Sequence, residues 1–209
     1  MPSSAEGSAG SRGAGRAWAA LSATLAIGAC VAFAIDAPTA IDWQPALAAR
    51  QPWRGWTAVW VHYSALHLEA NLAGCALVAA LGMVARVPRR TVAAWFIAWP
   101  LTQFGLLLRP DLLHYGGLSG VLHAGVAAVA VYLIVAAGGT RRLVGIGLLA
   151  GLAVKVGIEA PWDEALRHPV GWDIAVAPFA HASGLVAGAA MAAFVEAFRR
   201  RPRTIGRDD

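Results

Sequence analysis

Six apolar runs divide the chain, and charged residues, prolines and turn residues separate them. The runs are rich in Ala, Leu, Val and Gly, and most approach the roughly 20 residues that carry a helix across a bilayer. They lack the alternation of polar and apolar positions that a membrane barrel strand requires. The pattern therefore predicts an all-α polytopic membrane protein with six transmembrane helices, at about 17–35, 64–84, 91–108, 117–137, 143–157 and 175–198.

The composition of the chain supports a membrane location. Of its 209 residues, 58% are hydrophobic and only 14% are charged, with a mean hydropathy of +0.57. A soluble fold of this size would leave too much apolar surface in water. Six helices leave only short loops, so we expect one membrane domain at 17–198, between a disordered N-terminus at 1–16 and a basic tail at 199–209.

The distribution of charge predicts an orientation. The net charge of +5 alone would allow a nucleic acid partner, but most of the 17 basic residues lie in alternate loops and in the tail, which excludes that partner. The positive-inside rule then places both termini in the cytoplasm and the loops at 36–63, 109–116 and 158–174 outside. The first run allows one alternative, a cleaved signal peptide, because small residues follow it at 37–40.

Cysteine and histidine spacing indicates that no cofactor is needed. Cys30 and Cys75 both lie within apolar runs, which argues against a disulfide framework or a thiolate metal cluster. The six histidines lack the spacing of a metal site such as HExxH. We therefore expect neither a metal nor another cofactor.

A few polar residues lie within the apolar runs, where an unpaired polar group is costly. His67 and Asn71 share one face of the second run, Ser119 and His123 share one face of the fourth, and His181 lies early in the sixth. These three runs begin on the same side of the membrane under the predicted topology. The side chains of His67, Asn71, Ser119 and His181 are therefore expected at one level, in the outer part of the bilayer.

Small residues explain how two of these helices can meet. Gly120 on the fourth run and Gly184 and Gly188 on the sixth allow close helix contact. This contact is expected to bring the Ser119 hydroxyl within hydrogen-bond reach of the His181 imidazole.

Those two groups supply a nucleophile and a base. No carboxylate lies near His181 in the sequence at an orienting spacing, so we predict a dyad and not a Ser-His-Asp triad. The side chains of His67 and Asn71, with the backbone N–H of Ser119, are candidate donors to an oxyanion. Each polar residue taken singly is better explained as a packing hydrogen bond between helices, whereas their combination favours catalysis.

Motifs on three helices and in the first exterior loop resemble those of the rhomboid intramembrane serine proteases. In chain order they are Trp53-Arg54, His62, His67-x3-Asn71, Gly117-Leu118-Ser119-Gly120 and His181-x2-Gly184-x3-Gly188. The resemblance covers about 50–190. It implies a six-helix rhomboid-like bundle, Ser119 and His181 as the catalytic dyad, oxyanion stabilisation by His67 and Asn71, and transmembrane protein substrates.

One position departs from the family pattern and points to a branch. His123 stands where rhomboids commonly carry a tyrosine that stacks on the catalytic histidine. The run Gly-Leu-Ser-Gly-Val-Leu-His in a minimal chain resembles the rhombosortase branch. That likeness implies substrates with a C-terminal Gly-Gly, a transmembrane segment and a basic end, cut at the periplasmic side of a bacterial inner membrane.

The supporting residues have more than one interpretation. For His123 the alternatives are to stack on His181, to tune the basicity of His181, or only to fill the space that the family's tyrosine occupies. For Arg54 the alternatives are to brace the first loop or to contact a lipid phosphate, and the resemblance favours the first. For His62 they are to line a water path or to cap a helix. A contact between Glu69 and Lys155 is expected because either would be costly unpaired, although Lys155 alternatively reaches the surface.

Two other classes of protein compete with a protease. An inactive rhomboid relative would bind transmembrane clients without cutting them, but such proteins typically lose the serine or the histidine. A small transporter would show internal repeats and a site near the bilayer midplane, and no repeat is found.

Overall fold

The computed structural model describes residues 4–171 and 173–199 of the chain, and this part is almost entirely helical. Its regular backbone comprises α-helices, short 3-10 turns and two isolated β-bridges, with no strand among the described residues. The α-helices are α1 (Ser4–Ile35), α2 (Pro38–Ile41), α3 (Arg54–Thr57), α4 (Ala65–Val84), α5 (Arg89–Phe104), α6 (Ser119–Ala136), α7 (Gly139–Ile158) and α8 (Pro178–Arg199).

Five of the described helices are long and apolar enough to cross a membrane, which confirms the helical membrane fold class. They are α1 from Gly13, α4, α5 with the 3-10 turn that extends it to Leu108, α6 and α8. The helix α7 has 20 residues, a length of about 30 Å, but it carries Arg141, Arg142 and Lys155. The count of six spans therefore stays a prediction.

The N-terminal helix α1 begins at Ser4, while the division of the chain at 1–16, 17–198 and 199–209 stays a prediction. The apolar span supplies a helix nucleus, and each residue that extends it adds one backbone hydrogen bond. The span itself is packed into the bundle: Trp18 is fully buried and donates from Nε1 to the carbonyl of Val78 at 2.9 Å. Residues 1–3 and the basic tail from 200 onward lie outside the described residues.

The helix α6 forms the centre of the bundle and packs most closely against α8. A Cβ atom built on Gly184 would lie 1.9 Å from the carbonyl oxygen of Gly120, and one built on Gly188 would lie 2.1 Å from that of Ala124. Only glycine permits such a separation between two backbones. The contact predicted from the small residues is therefore present, and it joins the first two turns of α6 to the second and third turns of α8.

A buried ion pair braces the long loop between α1 and α4. Arg54 is 6% exposed, and its Nη1 lies 3.1 Å from Oδ1 of the fully buried Asp42. The same guanidinium donates to the carbonyls of Thr39 and Asp42 and to the side chain of Gln51. Arg54 thus braces the loop, as the resemblance favoured, because its donors are used within the protein.

The braced loop is tied to the segment that leads into α6. The backbones of Trp43 and Tyr115 exchange two hydrogen bonds, of 2.7 and 2.9 Å, and the N–H of Gly117 donates to the carbonyl of Ala58 at 3.1 Å. These bonds fix the chain immediately before Ser119. The end of the bundle at which α4, α6 and α8 begin is hereafter called the site end.

Candidate active site

Ser119 is the first residue of α6, and the glycine two positions earlier shapes its approach. Gly117 has a φ of +133°, a conformation that side chains rarely adopt, and a Cβ atom there would lie 2.9 Å from Nε2 of His67. The Gly-x-Ser sequence therefore lets the chain turn into the helix beside α4. The hydroxyl of Ser119 lines the cavity at the site end.

His181 lies in the first turn of α8, directly opposite this serine. Its Nε2 atom is 2.9 Å from Oγ of Ser119, and the residue is 5% exposed. The close contact at Gly120 and Gly184 holds the two first turns together, so the backbone itself sets this distance. The contact expected from the sequence is present, with the geometry that a nucleophile and its base require.

The structure contradicts the expectation that no carboxylate reaches His181. Oε2 of Glu159 lies 2.7 Å from its Nδ1 atom. Glu159 directly follows α7, and that helix returns the chain from the far end of α6 to the site end, beside the start of α8. Sequence reasoning missed Glu159 because it looked for a carboxylate near His181 in the chain, whereas the contact depends on helix packing.

Lys155 shares Glu159 with His181. Burial by itself raises the pKa of Glu159, but hydrogen bonds and positive charge from His181 and Lys155 hold it at about 2, so the carboxylate is ionised at neutral pH. Nζ of Lys155 donates to Oε1 of Glu159 at 2.5 Å. The predicted contact between Lys155 and Glu69 is wrong, since Lys155 pairs with the acid one turn along its own helix and Glu69 is exposed.

His123 stacks on one face of the His181 imidazole. The ring centroids are 4.3 Å apart and the planes differ by 8°. Its Nδ1 atom lies 2.7 Å from the carbonyl oxygen of Ser119, one turn earlier on α6, so this bond holds the ring in the stack. Of the roles considered from the sequence, the structure places His123 in the stacking position.

His67 and Asn71 lie on one face of α4 and line the same cavity as Ser119. One N–H of the Asn71 amide donates to the carbonyl of His67 at 3.1 Å, which leaves the second N–H for another acceptor. The Oγ atom of Ser64 caps the helix by accepting from the backbone N–H of His67. Both residues therefore line the cavity that Ser119 also lines, and their role as donors to an oxyanion stays a prediction.

His62 packs beside His67 and is not one of the residues that line the cavity. The two rings are 4.6 Å apart, and His62 Nδ1 lies 3.1 Å from the carbonyl oxygen of Trp60. Burial lowers the pKa of His62, which favours its neutral form. Ser64, and not His62, caps α4, so the capping interpretation of His62 is wrong.

The cavity at the site end has a volume of about 610 Å³, within the range of ligand pockets. Its lining includes polar residues of α4, α6 and α8 and apolar residues of the loop after α7, among them Leu166, Pro169 and Val176. Within residues 4–171 and 173–199, no group of three or more His, Cys, Asp or Glu side chains is placed to hold a metal ion.

Comparison with known proteins gives one family match. A family model described as the rhomboid domain matches residues 49–198, which extend from the braced loop to the last turn of α8. The matched region includes every residue placed around the cavity. A comparison with curated proteins finds no match for the chain.

Proposed function

The chain belongs to the rhomboid family, generally intramembrane serine proteases, and we propose that it is an active peptidase that cuts transmembrane substrates. The observation that carries the proposal is the 2.9 Å separation of Ser119 Oγ from His181 Nε2 at the wall of the cavity. Family membership suggests the activity, and this contact supports Ser119 as the nucleophile and His181 as its base.

Acyl transfer proceeds from this pair. His181 Nε2 takes the proton of Ser119 as its oxygen attacks the carbonyl carbon of the scissile peptide. The same imidazole then gives that proton to the leaving amine, and the C–N bond breaks. Water, activated by His181, resolves the acyl-enzyme and regenerates the free serine.

The negative charge on the tetrahedral carbonyl oxygen needs donors. The backbone N–H of Ser119 lies at the N-terminus of α6, where N–H groups lack helical partners. The free N–H of Asn71 and the imidazole of His67 line the same cavity. Each such donor is worth about 3 kcal/mol in acyl-transfer sites.

We further propose that the substrates carry the C-terminal sorting tail associated with rhombosortases. Gly-Leu-Ser-Gly-Val-Leu-His stands at 117–123, and the stacked His123 occupies the place of the family's tyrosine. A Gly-Gly sequence before a transmembrane segment would present a flexible, unhindered peptide bond to a nucleophile at the mouth of the cavity.

Charge and helix direction support the proposed topology. Arg86 follows α4, and Arg141 lies in the first turn of α7, shortly after α6 ends; both are on the side opposite the site end. The positive-inside rule then places six spans with both termini in the cytoplasm and the active site towards the periplasm of a bacterial inner membrane. Ser119 lies at the end of its helix, whereas the binding sites of transporters lie near the bilayer midplane. Its position therefore disfavours a transporter.

The test is cleavage in liposomes of a reporter that ends in Gly-Gly, an apolar segment and a basic tail. We expect wild type to cut it and to react with a fluorophosphonate, and both Ser119→Ala and His181→Ala to lose cleavage by at least about 10³-fold. Ser183→Ala is the matched hydroxyl control, because its Oγ donates to the carbonyl of Thr102 away from the cavity.

The outcomes separate the proposal from its alternative. Equal cleavage by wild type and Ser119→Ala would exclude the serine mechanism. Wild-type protein that binds the reporter, does not cut it and does not react with the fluorophosphonate would instead be an inactive client-binding relative.

A further inference from the structure

We propose that Glu159 is a positioning residue that completes a Ser-His-Glu triad with Ser119 and His181. This inference rests on the proposed peptidase function and adds to its Ser-His pair a third residue that orients the histidine. Two successive hydrogen-bond contacts link the three side chains. Ser119 Oγ is 2.9 Å from Nε2 of His181, and Nδ1 of the same ring is 2.7 Å from Oε2 of Glu159.

The two bonds require one arrangement of protons. An ionised carboxylate only accepts hydrogen bonds, so the His181 nitrogen facing Glu159 must carry the proton. The neutral imidazole then has its lone pair on Nε2, where it accepts from the Ser119 hydroxyl. Glu159 thus selects the tautomer in which His181 acts as a base, and it stabilises the positive charge that the ring gains when the serine attacks.

Two cations hold Glu159, one at its carboxylate and one at its backbone. Lys155 donates to Oε1, the oxygen that His181 does not use, and Nη1 of Arg167 donates to the backbone carbonyl of Glu159 at 2.9 Å. The backbones of Arg167 and Val176 form a bridge that fixes this arginine within the loop. Both carboxylate oxygens and the backbone at Glu159 therefore have partners.

A simple surface ion pair would not explain this arrangement. An exposed pair between Lys155 and Glu159 at i, i+4 needs only one carboxylate oxygen and no histidine. Here the second oxygen meets His181, whose side chain is 7% exposed, on the side of the ring opposite Ser119. His123 covers one face of that ring, so stacking and the carboxylate together define its orientation.

Lys155 makes the inference sharply testable through Glu159→Gln. The ammonium of Lys155 is a donor only, so it will bind the oxygen of the new amide and turn the amide NH₂ towards His181. His181 Nδ1 must then accept, which moves the ring proton to Nε2 and removes the base from Ser119. Glu159→Gln combined with Lys155→Met frees the amide to rotate, so that its oxygen again accepts from Nδ1.

The experiment compares four variants with wild type in liposomes, on the Gly-Gly reporter and a fluorophosphonate. They are Glu159→Gln, Lys155→Met, the double variant, and Glu164→Gln as the control for an exposed loop carboxylate. We expect Glu159→Gln to lower kcat at least about 100-fold with KM changed less than about threefold. The double variant should be at least about tenfold faster than Glu159→Gln, and Glu164→Gln should match wild type.

Two results would overturn the triad. One is cleavage by Glu159→Gln within threefold of wild type, or a loss confined to KM. The other is a double variant no faster than Glu159→Gln. Either result, with Ser119→Ala inactive, leaves the proposed peptidase function standing, whereas cleavage by Ser119→Ala would remove that function first.

A spectroscopic measurement covers the case in which the Gln variants do not fold. In wild-type protein with ¹⁵N-labelled histidine, we expect His181 to give an imidazole N–H proton far downfield of the amide region, as a carboxylate-bound Nδ1–H does. His114 is the internal reference, because its Nδ1 also lies 2.7 Å from a carboxylate oxygen, Oδ2 of Asp42. The His181 signal should vanish in His181→Gln, whereas a signal of His114 should stay. Absence of the His181 signal from folded wild-type protein would contradict the proposal.

Discussion

The consecutive helices α6 and α7 both deliver a polar group to the cavity, but the protein holds them in different ways. Most residues of α6 are buried, whereas α7 buries only Gly145 and Val156. The first turn of α6 meets α8 through backbone contact at Gly184, and the end of α7 is held by the side-chain bonds of Glu159. The positions of the nucleophile and the base thus depend on helix packing, whereas the position of the carboxylate depends on hydrogen bonds.

This difference has a physical origin in the membrane. Between apolar helices in lipid, close van der Waals contact is the main attraction, and glycine maximises it. The large side chains Leu143, Ile146 and Val154 of α7 are exposed and suit contact with acyl chains. This helix meets α6 closely at Gly145, where a Cβ atom would lie 2.8 Å from the carbonyl oxygen of Ala130, whereas its end at the cavity is held by the polar contacts of Glu159.

The largest effect should come from adding one methyl group at the α6–α8 contact. In Gly184→Ala the new Cβ would lie 1.9 Å from the carbonyl oxygen of Gly120, so α8 must shift and move His181 away from Ser119. We expect cleavage to fall about 100-fold, because a 1 Å misplacement of a reacting group costs about that much. Thermal unfolding in detergent should also occur at a lower temperature, since overpacking costs about 1–3 kcal/mol.

A Gly184→Ala protein with wild-type cleavage would mean that the two backbones are not held at this separation. The contact between α6 and α8 would then be no tighter than the attachment of α7. The reporter assay and the unfolding measurement should be run on the same preparation, so that loss of fold and loss of alignment are separated.

A smaller effect should follow from changing the ring that stacks on His181. His123→Ala removes the partner whose centroid lies 4.3 Å away and leaves the imidazole held only by its two hydrogen bonds. We expect about a tenfold loss of kcat, since a stacked aromatic pair contributes about 0.5–1.5 kcal/mol. His123→Tyr should recover most of that loss, and a tyrosine variant as slow as the alanine variant would contradict a stacking role.

The sequence allowed the tightly packed part of the site to be predicted. Ser119 and His181 lie at fixed places in their helices, and the glycine spacing on both helices indicated which faces meet. His67 and Asn71 follow from the same periodicity, because side chains four apart share a face. The helix boundaries followed from apolar length, and the observed ends of α4, α6 and α8 lie within a few residues of the prediction.

The loosely packed part could not be predicted in the same way. Glu159 lies 22 residues before His181, and its contact depends on where α7 ends relative to the first turn of α8. No repeating pattern in a single sequence encodes that relation. Lys155 was assigned the wrong partner for the same reason, since Glu69 and Glu159 were both available at helix ends on the predicted exterior side.

The attachment of α7 should depend on pH through Glu159. Its pKa is about 2 in the folded protein against an ordinary 4.5, so its contribution to stability is complete above about pH 4.5 and is lost as the pH falls towards 2. We expect the difference in unfolding midpoint between wild type and Glu159→Gln to be constant from pH 7 to 5 and to close below that. A difference that persists unchanged at pH 3 would contradict this attachment.

The smallest effect should come from adding the same methyl group to α7. A Cβ atom on Gly151 meets nothing within 4 Å, so Gly151→Ala needs no movement of any neighbour. Alanine is the better helix former by about 0.5–1 kcal/mol, and we expect the unfolding temperature to stay level or rise slightly. Cleavage should stay within about twofold of wild type, since the end of α7 keeps its bonds to His181. A loss as large as that of Gly184→Ala would mean that another surface covers this face of α7 in the membrane, and that α7 is held by packing after all.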